Sequence, residues 1–219
     1  MRVLVVSKDN KLFDELKNKI DSLGNVSLVA KDTLINEMQK EEVDVVFLLD
    51  LKVPVDLLRK AEGVFPKTLF VYNAVTMSPA ALKVKKVDTQ NTVGMNLLPT
   101  FINRPMAEIN GNSTKIEVVC LEKLGWQIQW VDNRVGMVTP RVICMIINEA
   151  YYTVQEGTAS KEDIHIGMKL GTNYPKGPFE WASEIGIKNV YKTLLAVYKD
   201  TLESRYKVCP LMKKEVQLG

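Results

Sequence analysis

The chain opens on Arg2-Val3-Leu4-Val5-Val6, a β-branched run, and then places Leu12, Leu16 and Ile20 on one face of a 3.6-residue period. The same alternation of short apolar runs with helix-period segments continues through the first half. It predicts strands over residues 2–6, 26–30, 44–49, 67–72, 93–98, 106–109 and 127–131, with helices through Leu34-Met38 and Leu57-Leu58-Ala61. A further helix is predicted from Ser113 to Leu124, begun by a Ser/Thr cap and closed by Gly125. Strands that alternate with helices imply a doubly wound α/β domain.

After Asp132 the β-branched runs stop, and apolar residues recur only at helical spacing. Gly157 closes a helix begun near Pro140, Ser160 with Asp163 opens the next as a capping box, and Gly171 ends it. Asn173-Tyr174-Pro175-Lys176-Gly177-Pro178 is predicted to be an irregular turn. Val142, Ile146, Val154, Leu194 and Val197 are candidates for core or interface. The expected division is an α/β domain over residues 1–132 and an all-helical domain over 133–219.

A hydrophobic share of 46% and a charged share of 25% in 219 residues are ordinary for a globular chain. The formal charge of +3 is small, and basic residues alternate with acidic ones, so nucleic acid is not an implied partner. Lys83, Lys85 and Lys86 read as solvated surface. Cys120, Cys144 and Cys209 are odd in number and lack metal-ligand spacing; no metal site is expected, and a reducing compartment is. Residues 1–10 lack the apolar core of a signal peptide, and no apolar run reaches membrane-spanning length, so a cytoplasmic location off the membrane is expected. Asn112-Ser113-Thr114 has the form of a glycosylation acceptor without the compartment that would use it.

In the second half, Asn148-Glu149-Ala150, Glu156-Gly157, Glu162-Asp163-Ile164, Met168-Lys169-Leu170-Gly171, Asn173-Tyr174-Pro175, Gly177-Pro178, Trp181, Ile185-Gly186 and Arg205-Tyr206 form an ordered set. Together they resemble the C-terminal domain of 3-hydroxyacyl-CoA dehydrogenases. Gly94-Met95-Asn96-Leu97-Leu98 resembles that family's strand carrying a catalytic histidine, and twelve positions further on, at the family's spacing, stands Glu108. Phe70-Val71-Tyr72-Asn73-Ala74-Val75 resembles the family's strand end, with Asn73 kept and Val75 in place of a substrate-facing serine. The resemblance implies a Rossmann-like first domain, shortened by a missing helical hairpin after the second strand, and an all-α dimerisation domain. It further implies NAD as cofactor, acyl-CoA as ligand, a homodimer, and Asn73, Asn96 and Glu108 at the catalytic positions.

The departures change the chemistry. Removing a hydroxyl proton during hydride transfer needs a base that titrates near neutrality, and an amide at position 96 does not titrate. Pro140 replaces the family's catalytic asparagine, and His165, the lone histidine, is expected on a helix surface. Ser7-Lys8-Asp9-Asn10-Lys11-Leu12 occupies the turn where Gly-x-Gly-x-x-Gly would admit a pyrophosphate, so no cofactor-binding residue can be assigned there. Two readings follow: an enzyme of this lineage with altered or lost NAD-dependent activity, or a non-catalytic acyl-CoA-binding or dimeric scaffold protein. A more distant reading takes the first domain as a signalling receiver with Asp50 as phosphoacceptor.

Overall fold

The computed structural model describes residues 1–87, 90–111 and 115–219. Two compact units divide at Met137–Val138, a few residues past the composition change at Asp132.

The first unit is a seven-stranded sheet. Its strands are β1 (Arg2–Val6), β2 (Asn25–Leu28), β3 (Val45–Leu48), β4 (Leu69–Asn73), β5 (Thr92–Met95), β6 (Met106–Gly111) and β7 (Gln127–Trp130). All seven predicted strands form, in the order β2-β1-β3-β4-β5-β6-β7. Neighbours run parallel except β5 and β6, which pair antiparallel with Met95 opposite Ile109. The chain moves to one side of β1 to make β2 and to the other to make β3. Those two strand ends therefore diverge at a topological switch point, where open α/β sheets hold their ligands.

Between the strands lie α1 (Asn10–Ile20), α2 (Leu34–Lys40), α3 (Val55–Glu62), α4 (Pro79–Val84) and α5 (Lys115–Lys123). Leu12, Leu16 and Ile20 of α1 pack with Val3, Phe47 and Val71 in one core layer. Burying each such side chain is worth roughly 1.5–3 kcal/mol before the entropy of ordering it. Helix α4 was not legible in the apolar pattern; its signals are a Ser78 cap, whose Oγ accepts from the Ala81 amide, and Pro79 at the first helical position. The Ser/Thr start expected for α5 lies outside the described residues, while Gly125 at φ +90° ends that segment as a left-handed cap should. One seven-residue helix, α2, is all that joins β2 to β3.

The second unit is helical: α6 (Thr139–Gln155), α7 (Lys161–Ile166), α8 (Pro178–Ile185), α9 (Ile187–Thr201) and α10 (Pro210–Leu218). The Ser160–Asp163 capping box opens α7, which continues as one wider turn through Gly167–Gly171. Pro178, expected in the irregular turn, is instead the first residue of α8, where a proline loses no hydrogen bond. Of the candidate core positions Leu194 and Val197 are buried, Ile146 and Val154 are half-buried, and Val142 is exposed. His165 is half-buried rather than on the open surface, because its ring lies against Gly177, where any Cβ would collide with Nδ1.

Candidate functional site

The register of three adjacent strands builds the first part of the site. Tyr72 of β4 is paired with Gly94 of β5, and Gly94 with Asn110 of β6. Side chains alternate across a strand, so Ala74, Asn96 and Glu108 share the face that carries Tyr72 and Asn110. The Asn96 amide donates to the Glu108 carbonyl at 3.1 Å, continuing the β5–β6 ladder by one residue. The two residues chosen by their twelve-position spacing are thus direct cross-strand neighbours. Both are buried, and the Asn96 side-chain oxygen accepts from the Leu98 amide at 3.3 Å.

Asn73 is elsewhere. Alternation puts it on the opposite face from Tyr72, and its Nδ2 donates to the Leu49 carbonyl at 3.0 Å, tying β4 to the end of β3. The structure therefore brings Asn96 and Glu108 together and gives Asn73 a structural bond away from them.

Two residues that the sequence did not single out complete this face. The Tyr72 hydroxyl and both polar side-chain atoms of Asn110 are buried without a hydrogen-bond partner. They crowd the missing Cβ of Gly94, where any side chain would overlap Asn110 Oδ1 and the Ala74 methyl. Burial pushes the Tyr72 phenol far up, so it stays protonated at any working pH. No signal along the chain joins Tyr72 to Asn110, which meet only because both strands pair with Gly94. Nearby, Glu15 of α1 accepts from the Thr100 amide at 2.9 Å, holding the loop after β5 where Thr100 adopts φ +68°.

The switch point supplies the second part. A crevice of about 570 Å³ opens at the ends of β1, β2 and β3, with Val6, Val29, Leu48 and Val53 among its walls. At its rim the turn from β1 into α1 is closed on itself. The Asp9 carboxylate accepts from the Lys11 amide at 2.9 Å and the Leu12 amide at 3.3 Å. Ser7 Oγ accepts from the Asp9 amide at 3.0 Å, and Asp50 Oδ1 accepts from the Lys8 amide at 3.1 Å. In a dinucleotide-binding domain such amides are the donors that meet the pyrophosphate. Here internal oxygens, two of them on carboxylates, already hold them.

Residues 136–219 match the family described as the 3-hydroxyacyl-CoA dehydrogenase C-terminal domain. The chain is homologous to the 3-hydroxyacyl-CoA dehydrogenases. It is 31% identical over 160 residues to a probable 3-hydroxybutyryl-CoA dehydrogenase of Bacillus subtilis (strain 168), which spans 70% of this chain and 56% of that protein. It is 34% identical over 113 residues to a 3-hydroxyadipyl-CoA dehydrogenase of Escherichia coli (strain K12), spanning 51% of this chain and 24% of that one. The matched stretch thus covers about half, or less, of these curated relatives' length. The crystal structure of an (S)-3-hydroxybutyryl-CoA dehydrogenase from Ralstonia eutropha superposes with a TM-score of 0.75 at 22% identity, over 100% of this chain and 94% of that one. The fold of the 3-hydroxyacyl-CoA dehydrogenases, a Rossmann-like sheet followed by a helical region, is therefore shared.

The family implies NAD, and the residues at the first turn do not fit its pyrophosphate. A phosphate approaching the start of α1 would meet the Asp9 carboxylate and would have to displace it from two amides. Asp50 adds a second negative charge at the same turn, which makes the mismatch electrostatic as well as steric. Among the described residues no helix is long and apolar enough to cross a membrane.

Proposed function

We propose that the protein is a 3-hydroxyacyl-CoA dehydrogenase relative whose NAD-dependent activity is altered or lost, acting in the reducing cytoplasm on acyl-CoA ligands. The observation that carries this reading is the Asp9 carboxylate bonded to the Lys11 and Leu12 amides. It removes the donors a dinucleotide needs and puts a negative charge in their place.

Position 96 supports the same reading. Asn96 and Glu108 are cross-strand neighbours joined through their backbones, and an amide at position 96 neither gains nor loses a proton near neutrality. The alternative within this lineage, a non-catalytic acyl-CoA-binding or dimeric scaffold protein, draws its support from the same two departures. In both cases Asn96 and Glu108 mark the place where an acyl thioester would lie. Asn73, with its amide on the Leu49 carbonyl, would act by fixing the strand end.

Calorimetry and turnover separate the outcomes. NAD is expected to give no binding heat at millimolar concentration, and acetoacetyl-CoA no reduction by NADH above the buffer rate. Millimolar or tighter NAD binding, or turnover by the unmodified protein, sinks the lost-activity reading. Asn96→His restoring turnover would show that both ligands still reach the site.

A further inference from the structure

Tyr72 of β4 is 1% exposed and Asn110 of β6 is 0% exposed. Among the described residues, neither the Tyr72 hydroxyl nor Asn110 Oδ1 or Nδ2 finds a hydrogen-bond partner. A buried donor or acceptor left unpaired loses its water and gains nothing in return. Phe and Leu would fill the same space without that cost. Polar groups kept in such a place call for a partner from outside the chain.

The strand register sets these atoms around one point. Tyr72 pairs with Gly94 across β4 and β5, and Gly94 with Asn110 across β5 and β6. The place that a Cβ of Gly94 would take lies 3.0 Å from the Tyr72 hydroxyl and in contact with Asn110 Oδ1. One further oxygen, at hydrogen-bond distance from each, can therefore bridge the two. Ala74, Asn96 and Glu108 make the next row on the same face, about 7 Å further along the strands.

The donors and acceptors select the group that fits. Tyr72, which burial keeps protonated, has one proton to give, and Asn110 Oδ1 offers only lone pairs. A hydroxyl oxygen answers both at once, taking the phenol proton and giving its own to Oδ1. A keto oxygen has no proton for Oδ1. An ammonium only donates, which leaves the phenol proton and Nδ2 unpaired, and an anion finds no counter-charge on either residue. Asn110 Nδ2 then serves a neighbouring acceptor, such as a carbonyl of the same ligand.

We propose that Tyr72 and Asn110 bind one uncharged hydroxyl oxygen between them. Two sources share this chemistry: a hydroxyl on the acyl chain of a thioester, whose selection these residues then determine, and a single fixed water molecule. The first source rests on the acyl-CoA reading above, and the hydroxyl site itself does not.

The whole protein and its Tyr72→Phe and Asn110→Leu variants are titrated calorimetrically with 3-hydroxybutyryl-CoA, acetoacetyl-CoA and butyryl-CoA, and the parent is crystallised without ligand at high resolution. If the acyl chain is the source, 3-hydroxybutyryl-CoA binds the parent about ten-fold or more tightly than the other two thioesters. That preference falls below about three-fold in Y72F and N110L. If water is the source, the thioesters show no such preference and an ordered oxygen stands within about 3.2 Å of both Tyr72 Oη and Asn110 Oδ1. The proposal is overturned if the parent shows neither the preference nor the bridging oxygen, or if the preference persists in folded Y72F and N110L and no oxygen bridges. Failure of all three thioesters to bind sinks the acyl-CoA reading alone, because the crystal structure still decides the hydroxyl site. Should both variants fail to fold, the parent's preference and the bridging oxygen decide.

Discussion

Asn148 and Cys209 are joined by a hydrogen bond from the Cys209 amide to the Asn148 side-chain oxygen at 2.9 Å, while the other end of the same amide donates to the Lys207 carbonyl at 2.9 Å. One buried side chain on α6 thus satisfies both polar groups of the bend that leads into α10. Replacing it with Leu leaves a buried donor and acceptor unpaired, at a cost of roughly 2–4 kcal/mol. Asn148→Asp keeps the acceptor and loses the donor, so its denaturation midpoint is expected to fall between those of the parent and N148L. Equal midpoints for all three proteins would contradict the role assigned to this residue.

Asp9 caps α1 with two amide hydrogen bonds. Asp9→Ala is expected to lower stability by about 1 kcal/mol, the usual loss for a capping side chain. The same change frees the amides without rebuilding the glycine turn, so NAD binding should stay below detection. Thermal unfolding and calorimetry on one preparation check both halves.

Glu15 gives a pH dependence of definite sign. Burial raises its carboxyl above the ordinary value of 4.5, against the opposing effect of the Thr100 and Asn103 amides. A raised acid holds its proton more tightly in the folded state. The stability it contributes is therefore full below 4.5 and is lost as pH rises through the folded value. Glu15→Gln retains an acceptor for the Thr100 amide and does not titrate. Denaturation midpoints measured from pH 4 to 7 should decline less with rising pH in E15Q than in the parent, and superimposable curves would rule this out.

A homodimer through the helical unit is expected, on the ground that this unit leaves Val142 55% and Leu170 82% exposed. Light scattering at micromolar concentration should give about twice 24.7 kDa. Leu170→Asp should shift the mass toward one chain without lowering helix content. A monomeric parent protein at that concentration counts against the assembly.

The sheet was legible because β1 and β3 present β-branched runs and the remaining strands short apolar or alternating stretches between turn signals, whereas Asn96 and Glu108 were picked out by the twelve-position interval of the family that the chain resembles. Helix α4 was hidden because six residues hold too few apolar positions to show a period. The polar face was hidden for a different reason. Tyr72 and Asn110 are 38 positions apart, and only the pairing of both strands with Gly94 makes them neighbours.

The reversal between β5 and β6 has a consequence for how descent can be read from this chain. Residues 96 and 108 stay opposite one another because one more or one fewer residue within β6 would turn Glu108 outward and bring an apolar neighbour, Ala107 or Ile109, into its place. The pairing of the two strands alone keeps positions 96 and 108 opposite one another, whatever side chains they carry. Their closeness is therefore a property of the sheet before it is one of any chemistry, like a mortise that keeps its shape whatever tenon is fitted.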